Sequence, residues 1–338
     1  MRQIVALVTT LMFAVSAVAN ADAQIDLPAP LAQLQATLAS VGAHTSAKVA
    51  VEIRDLSTGY TSGYNMNAVM PAASTIKIPI MVEVFRQMEA GKFDLNRRVE
   101  LYASDRDWGS GDIASSPVGA TFPVSTLLAQ MITVSDNTAA NMLIRLVGRS
   151  HINATMRELG LHHTKLTDYI RTAEWSVRTS LRTTPSDMVS LLSDMARNKL
   201  IDEWSSKQMI AILEHQEINT LLPVPLPDIP IAHKTGSFND TLNDVGIVYA
   251  DAPYVIAVMT TDLPSLPVGR NIIHRISRVA YTHIERLAKW RAANGLDAVN
   301  DAAQATPAPQ DAPDAADADT DVPMWATPTA APSPAATP

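Results

Sequence analysis

Three apolar segments near the C-terminal end of the chain decide its fold: IAHKTGSF (231–238), DVGIVYA (244–250) and YVIAVMTTDL (254–263). Each contains Val, Ile or Thr, and short stretches with Asn, Asp or Pro separate them, which is the pattern of consecutive β-strands. The segment AKVAVEIRDLSTGYTSGYN (47–65) predicts two more strands around a Ser-Thr-Gly turn. Strands therefore lie towards both ends of the chain and can join in one antiparallel sheet.

The stretch between these strands is dominated by helical patterns. Apolar residues recur at intervals of three and four in the segments 74–92, 123–148, 152–160, 184–198 and 205–216. The polar triplet at 135–137 is expected to break one of them into two helices, and 270–293 predicts a long closing helix. The predicted fold class is α+β: an antiparallel sheet built from both ends of the chain and flanked by helices, with an inserted helical lobe.

The sequence predicts three parts. Residues 1–23 predict a secretory signal peptide, because Arg2 precedes an apolar run that is too short to cross a bilayer and is followed by small residues. A membrane anchor is the alternative for this segment. Residues 24–293 form one predicted globular body. Residues 294–338 consist mainly of Ala, Pro, Asp and Thr and predict a disordered tail.

Composition excludes several classes of protein. The chain has no cysteine, which rules out a disulfide framework, a thiolate nucleophile and a cysteine-based metal site. Seven aspartates and no lysine or arginine follow Arg291, so most of the net charge of −8 belongs to the tail. The body is nearly neutral, and no nucleic-acid partner is expected. A signal peptide without cysteines suits a bacterial periplasm, and we expect a soluble monomer without a membrane span.

Ser74 and Lys77 stand three residues apart in PAASTIKIP (71–79), a stretch that is otherwise small or apolar. On a helix both side chains share one face, and a serine at the helix start lies where free backbone N–H groups favour negative charge. A lysine in an apolar site loses affinity for its proton and can activate a hydroxyl as a base. The alternative is an N-cap serine beside a lysine that reaches solvent.

Two more short motifs carry polar side chains suited to a ligand. The triplet SDN at 135–137 offers a hydroxyl for proton relay and an amide that can donate and accept, or it is only a turn that caps the next helix. The triplet KTG at 234–236 offers an anion grip beside a backbone that a ligand can approach closely, or it is an ordinary strand end. By chance all three motifs occur in this order in roughly one chain in a thousand.

The three motifs resemble those of class A-like β-lactamases and penicillin-binding serine hydrolases. The resemblance extends through SDNTAANMLI (135–144), RTTPSDM (182–188) and AHKTGSFNDTLNDVGIV (232–248), and it covers about residues 30–293. It implies the β-lactamase/D,D-peptidase fold. It also implies an enzyme without cofactor or metal that acts on a small molecule, either a β-lactam or a peptidoglycan stem peptide.

The resemblance implies catalytic roles for three residues. Ser74 would be the nucleophile that the substrate carbonyl acylates, and Lys77 would be its general base. Ser135 would relay a proton to the leaving nitrogen. Trp108 lies where the family often has an aromatic gate, or it is a packing residue.

The resemblance also implies substrate-binding roles. Asn137 would bind the side-chain amide of the substrate, and Lys234 with Thr235 would hold its carboxylate. The backbone N–H of Ser237, with that of the nucleophile, would form the oxyanion hole. Family members often add an arginine to the carboxylate grip. The chain has none between Lys234 and Arg270, so Arg270 on the next helix is the candidate.

The chain departs from the family in 166–185, where class A enzymes carry a Glu-x-x-Leu-Asn pattern that activates the deacylating water. Glu174 is the only glutamate in this stretch and lacks the following Leu-Asn. Asp168 is a weaker candidate. Alternatively, Glu174 pairs with Arg171 or Arg178 on the surface.

Three hypotheses about function follow. The first is a secreted serine β-lactamase that opens a cyclic amide through an acyl-serine intermediate. The second is a penicillin-binding, D,D-peptidase-like protein with slow deacylation, since loss of a general base slows a step by roughly 10²–10⁴-fold. The third is a non-catalytic module that binds a β-lactam or peptidoglycan. The pair His162-His163 lacks further ligands in a metal-binding pattern, and no metal site is predicted.

Overall fold

The computed structural model of the protein describes residues 28–173 and 177–296. The predicted signal peptide (1–23) lies outside these residues, as do Glu174 and the part of the predicted tail that follows residue 296.

The sheet joins strands from both ends of the described chain. The ten strands of the described residues are β1 (Lys48–Asp55), β2 (Thr61–Tyr64), β3 (Met70–Pro71), β4 (Arg98–Glu100), β5 (Thr121–Pro123), β6 (Lys165–Leu166), β7 (Leu181–Thr183), β8 (Ile231–Phe238), β9 (Thr241–Val248) and β10 (Tyr254–Thr261). Five of them form an antiparallel sheet in the order β2-β1-β10-β9-β8. β1 pairs with β10 from Lys48 opposite Thr261 to Asp55 opposite Tyr254, which confirms the predicted sheet.

Most of the helices lie in the chain between the two groups of strands, where the helical lobe was predicted. The nine α-helices of the described residues are α1 (Ala29–Ala43), α2 (Lys77–Glu89), α3 (Val124–Thr133), α4 (Asn137–Val147), α5 (Arg149–Glu158), α6 (Val177–Ser180), α7 (Pro185–Ala196), α8 (Glu203–Glu214) and α9 (Leu266–Ala293). The predicted break near 135–137 separates α3 from α4. None of these helices combines the length and apolar character that a bilayer crossing needs. The smaller sheets β3-β7-β6 and β4-β5 edge the lobe.

The central sheet is buried on both faces. Because successive strand residues point to opposite faces, Val255 and Ala257 of β10 enter a core shared with the lobe, while Ile256 and Val258 enter a second core shared with α1 and α9. Every residue of β9 and β10 is buried. This burial explains why β10 reads as a continuous apolar run as far as Met259 rather than as an alternating one. The edge strand β8 packs against the lobe, and the site lies at that junction.

The turn between α3 and α4 is fixed by a buried carboxylate. Asp136 caps α4 by accepting a hydrogen bond from Ala139 N at 2.7 Å, and its other oxygen accepts one from Ile113 N at 2.9 Å. Gly111 lies against it with φ of +83°, and a Cβ at this position would overlap the Asp136 side chain. The turn therefore needs a glycine at 111 for two reasons, conformation and space.

Gly111→Ala is expected to destabilise the fold more than Gly59→Ala does. Both glycines have positive φ, but a Cβ at Gly59 would meet no atom within 4 Å. The Gly59 variant should lose about 1–2 kcal/mol from backbone strain alone, whereas the Gly111 variant should lose about 1–3 kcal/mol more through overpacking. Urea denaturation measures both, and equal losses would contradict the packing of Gly111 on Asp136.

Candidate active site

A cleft of about 260 Å³ opens where β8 meets the helical lobe. Residues from all three sequence motifs line it or lie directly behind its wall. The lining residues are Ala73, Ser74, Gly109, Ser110, Ser135, Asn137, Ile170, Thr172, Leu181, Ile218, Thr220, Leu221, Thr235, Ser237, Phe238, Leu242, Leu266 and Arg270. The fold therefore brings together segments that lie up to about two hundred residues apart in the sequence, as an inserted lobe allows.

Ser74 is half-buried and lies in a 3₁₀ turn, Ala73–Ile76, directly before α2. Its side chain makes no capping hydrogen bond, so the expected role as an N-cap is wrong. The preceding residue, Ala73, has φ of +46°. This left-handed conformation costs an L-residue about 1–3 kcal/mol, and such strain concentrates at functional sites. The strained turn presents Ser74 to the cleft.

Lys77 is fully buried, so the alternative in which it reaches solvent is wrong. Its Nζ lies 2.6 Å from the carbonyl oxygen of Ser135 and 2.7 Å from Oδ1 of Asn137. Two hydroxyls are also within reach, Ser135 Oγ at 3.0 Å and Ser74 Oγ at 3.2 Å. The amine therefore has four oxygen partners and no water-exposed side.

Burial lowers the pKa of Lys77 well below its usual range, and the nearby charge of Lys234 lowers it further. The carboxylates of Asp136 and Asp107 act in the opposite direction. A neutral amine has two N–H bonds and one lone pair. The Ser135 carbonyl can only accept a hydrogen bond, and so can the amide oxygen opposite it, so these two use the N–H bonds. The lone pair then faces a hydroxyl, which is the geometry of a base acting on serine.

The 135–137 triplet both caps a helix and faces the cleft, so neither interpretation excludes the other. Ser135 has φ of +62° and lies in the bend before α4. Asn137 is the first residue of α4 and is almost fully buried. Its Nδ2 donates to Asp107 Oδ1 at 2.8 Å while its Oδ1 accepts from Lys77. The side chains of Ser135 and Asn137 thus approach the same amine from two directions.

Strand β8 forms the opposite wall of the cleft. Thr235 and Ser237 line it, whereas Lys234 is fully buried and donates to the carbonyl oxygen of Thr235 at 3.1 Å. A Cβ at Gly236 would lie 3.0 Å from the carbonyl oxygen of Ala72 and 3.1 Å from the backbone nitrogen of Ser74. At Gly236 the expected close neighbour was a ligand, but the structure places the turn that carries Ser74 there instead. This close packing holds the two walls of the cleft in contact.

The end of the cleft near α9 is cationic. Burial lowers the pKa of Lys234 to about 7, and the nearby carboxylate of Asp244 partly offsets this effect. Arg270 lies in the second turn of α9, is exposed and lines the cleft. Its position on the helix after β10 agrees with the expectation from the sequence.

The loop before residue 174 is held against the lobe by contacts that the sequence did not predict. Asn141 accepts a hydrogen bond from Ile170 N at 2.8 Å and donates one to the carbonyl oxygen of Ile170 at 3.0 Å. Asp107 accepts hydrogen bonds from the backbone and the hydroxyl of Thr172, both at 2.7 Å. The only signal in the sequence was a polar Asn141 inside the apolar run AANMLI. No pattern pointed to Asp107.

Among the described residues that line the cleft there is no carboxylate. Asp168 lies 3.5 Å from Arg149 and also accepts from Tyr169 N, and it is not part of the lining. Glu174 falls outside the described residues. Trp108 is 70% exposed beneath the guanidinium of Arg106, so it is not the packing residue of the second interpretation.

Comparison with known proteins agrees with this geometry. Residues 32–284 match the model of the "Beta-lactamase enzyme family". Beta-lactamase CTX-M-6 from Salmonella typhimurium is 31% identical over 196 residues, which span 56% of this chain and 67% of that protein. A β-lactamase structure from Sphaerobacter thermophilus is 31% identical with a TM-score of 0.69, over 75% of this chain and 97% of that one.

The structure of PBP-A is also similar, with 27% identity and a TM-score of 0.72 over 76% of this chain and 97% of that one. A Leu-to-Glu mutant of PBP-A is described as an acyl-enzyme complex with penicillin G. Fold and site together define a penicillin-recognising serine hydrolase of the class A-like type. The chain belongs to the beta-lactamase enzyme family, and it is a hydrolase of that family.

Lys234→Met is expected to stabilise the protein at neutral pH. The pKa of Lys234 is about 7 in the folded state against 10.5 for an ordinary lysine. The unfolded state therefore binds the proton more tightly, and the folded state loses stability as the pH falls from the ordinary value towards 7. A methionine removes this penalty and should add about 1–3 kcal/mol at pH 7, with a smaller gain near pH 10.

Urea denaturation at both pH values measures this effect. The matched control is Lys207→Met, because Lys207 is 59% exposed beside Glu203 and should change stability by less than about 0.5 kcal/mol at either pH. A Lys234 variant that is less stable than the parent at pH 7 would contradict the depressed pKa.

Proposed function

We propose that this chain hydrolyses β-lactams through a covalent acyl-enzyme intermediate on Ser74. The observation that carries this proposal is the contact network of Lys77, whose buried amine lies within hydrogen-bonding distance of the hydroxyls of Ser74 and Ser135. A lysine of depressed pKa activates a hydroxyl without any histidine.

In the acylation step, Ser74 Oγ attacks the carbonyl carbon of the cyclic amide while its proton passes to the neutral amine of Lys77. The tetrahedral intermediate collapses as the C–N bond breaks. The leaving nitrogen takes a proton from Ser135 Oγ, which regains one from the Lys77 ammonium. The 3.0 Å contact between Lys77 and Ser135 supports this return path. The ring is then open, the acyl group is on Ser74 and Lys77 is again neutral.

The oxyanion of the tetrahedral intermediate is stabilised by the backbone N–H groups of Ser74 and Ser237. The close packing of β8 at Gly236 against the backbone of Ser74 supports this assignment, because it places the two segments beside each other on one side of the cleft. A larger residue at 236 would push them apart. The donors are therefore set before substrate binds, which is what transition-state stabilisation requires.

The substrate carboxylate binds at the cationic end of the cleft. Lys234, Thr235 and Arg270 supply two charges and a hydroxyl, and a bound carboxylate favours the charged form of the lysine. The amide side chain of Asn137 binds the acylamino group of the substrate through its remaining N–H. The substrate is a small molecule, which agrees with a cleft volume of about 260 Å³.

Deacylation needs a base that activates water. Glu174 is the residue that the sequence suggests for this role. Ile170 and Thr172, which precede it in the chain, line the cleft. If Glu174 reaches the acyl group, the enzyme is a full β-lactamase.

A second candidate function is a penicillin-binding, D,D-peptidase-like protein in which the acyl-enzyme persists. The observation that favours it is the absence of a carboxylate among the described lining residues. Ile170, an apolar residue that is only 3% exposed, is among the lining residues, and its backbone is held by the side chain of Asn141. The similar structure of a PBP-A mutant as an acyl-enzyme complex with penicillin G supports this function as well. Loss of one general base typically costs about 10²–10⁴-fold in the deacylation rate.

We also propose that the protein is exported to a bacterial periplasm and that residues 1–23 are removed on export. The apolar run with Arg2 before it and small residues after it supports this proposal. A bacterial β-lactamase among the relatives supports it as well.

Ser74→Ala is expected to abolish covalent labelling by benzylpenicillin, because the attacking oxygen is removed. Intact-mass spectrometry of the full chain gives the readout. The control is Ser110→Ala, since Ser110 also lines the cleft but its hydroxyl donates to the carbonyl oxygen of Val134. Labelling that survives in the Ser74 variant would show that the nucleophile is another residue.

Ile170→Glu is expected to accelerate loss of the acyl group by roughly 10–100-fold, because it adds a water-activating carboxylate to the cleft. Ile170→Gln is the control of the same shape without a base. The decay of the benzylpenicillin adduct is followed by mass after excess drug is removed. Equal decay in the two variants would mean that this position does not face the acyl carbonyl. Rapid clearing by the parent protein would reject the second candidate function.

A further inference from the structure

The carboxylate of Asp107 is a convergence point that none of the sequence motifs contains. Its Oδ1 accepts hydrogen bonds from Asn137 Nδ2 at 2.8 Å, Gly109 N at 3.0 Å and Thr172 Oγ1 at 2.7 Å. Its Oδ2 accepts from Thr172 N at 2.7 Å. Asp107 is only 6% exposed. One carboxylate thus joins the start of α4, the segment that carries Gly109 and the loop that carries Thr172.

The backbone of Asp107 is itself anchored. Its N–H donates to Thr138 Oγ1 at 3.1 Å, and the same hydroxyl donates to the Asp107 carbonyl oxygen at 3.2 Å. Thr138 follows Asn137 in the first turn of α4. The carboxylate is therefore held at a fixed place relative to the residue that contacts Lys77.

We propose that Asp107 is a positioning residue for acylation, which orients the amide of Asn137 towards Lys77 and holds Ile170–Thr172 against the cleft. This inference rests on the proposed roles of Ser74 and Lys77. Asp107 touches none of the reacting atoms and acts through its neighbours.

The two partners of the Asn137 side chain, Asp107 and Lys77, determine which way its amide group is oriented. A carboxylate can only accept a hydrogen bond, so Asn137 must present Nδ2 to Asp107. Its Oδ1 then points to Lys77 Nζ at 2.7 Å, where it takes one N–H of the amine. With the amide reversed, Nδ2 would face the amine and the lone pair of a neutral Lys77 would be turned away from the serine hydroxyls. Asp107 thereby keeps the lone pair on the reacting side.

The charge of Asp107 also acts on the amine. The charged groups that influence Lys77 are Lys234 on β8, which lowers its pKa, and Asp136 and Asp107, which raise it. Burial alone would raise the pKa of Asp107, but the hydrogen bonds from Thr172, Asn137 and Gly109 bring it below its usual value. These hydrogen bonds therefore favour the ionised form of Asp107.

Asp107→Asn tests the proposal because it removes the charge and one acceptor at nearly constant shape. The amide nitrogen of the new side chain must face either Thr172 N or the three donors on the other side, so at least one donor loses its partner. The control is Asp105→Asn. Asp105 is a buried carboxylate two residues away, paired with Arg145 and absent from the groups that influence Lys77.

The first readout is the second-order rate of acylation by benzylpenicillin as a function of pH, measured by intact mass. Neutral Lys77 is the reactive form, so the rate rises as Lys77 loses its proton. In Asp107→Asn the pKa of Lys77 falls further, and the acid limb of the profile should move to lower pH. The plateau should drop by about tenfold through mispositioning of Asn137. Asp105→Asn should leave the acid limb in place.

The second readout is hydrogen exchange of the backbone amide of Thr172, which is independent of activity. This amide should exchange faster in Asp107→Asn and at the parent rate in Asp105→Asn. Asp107→Glu keeps the charge with altered geometry, so it should lower the plateau without moving the acid limb. This variant keeps the test valid if Asp107→Asn does not fold.

The outcomes separate this inference from the function on which it rests. If the parent protein is not acylated at Ser74, the proposed function fails first. If the parent is acylated and Asp107→Asn shows the parent profile, with an unchanged plateau and acid limb, Asp107 is not a positioning residue. An equal shift in Asp105→Asn would overturn the inference as well, because the effect would then not be specific to Asp107.

Discussion

The burial of one amine, that of Lys77, is the constraint on which the rest of the site depends. An ammonium without water is unfavourable unless oxygen atoms surround it or its proton leaves. In this fold Ser135 and Asn137 supply oxygen atoms from the lobe, while burial first and the charge of Lys234 on β8 second lower the pKa of the amine. The same burial that reduces stability lowers the pKa of the amine and so favours its neutral, basic form, which is the usual relation between stability and function at an active site.

The junction between the sheet and the lobe positions the other residues of the site around the buried Lys77 amine. Two non-glycine residues with positive φ, Ala73 and Ser135, bend the chain at the two lobe segments that meet Lys77. Gly236 lets β8 pack directly on the turn that carries Ser74. Because each of these features is local to a short segment but useful only in contact with the others, the strain is compensated by packing on both sides of the cleft.

The secondary-structure elements that the sequence predicted correctly are those that depend on short-range patterns of residues. The strands β8 to β10, the break between α3 and α4 and the long helix α9 all follow from apolar periodicity and turn residues. Each of the three motifs also contributed at least one residue to the cleft lining. The start of α2 was predicted too early, because the 3₁₀ turn depends on packing against β8. The roles of Asn141 and Asp107 could not be predicted, since their partners Ile170 and Thr172 lie about thirty or more residues away and no pattern links them.

The most direct test of this account is the protonation state of Lys77 in the free protein. Lysines labelled with ¹⁵N at Nζ are titrated by NMR, and the Lys77→Met variant assigns the signal. The Lys77 amine is expected to lose its proton well below 10.5, the ordinary lysine value, while the surface lysines stay charged. A Lys77 signal that remains charged together with the surface lysines would contradict the central claim, because no neutral amine would then be present to activate Ser74.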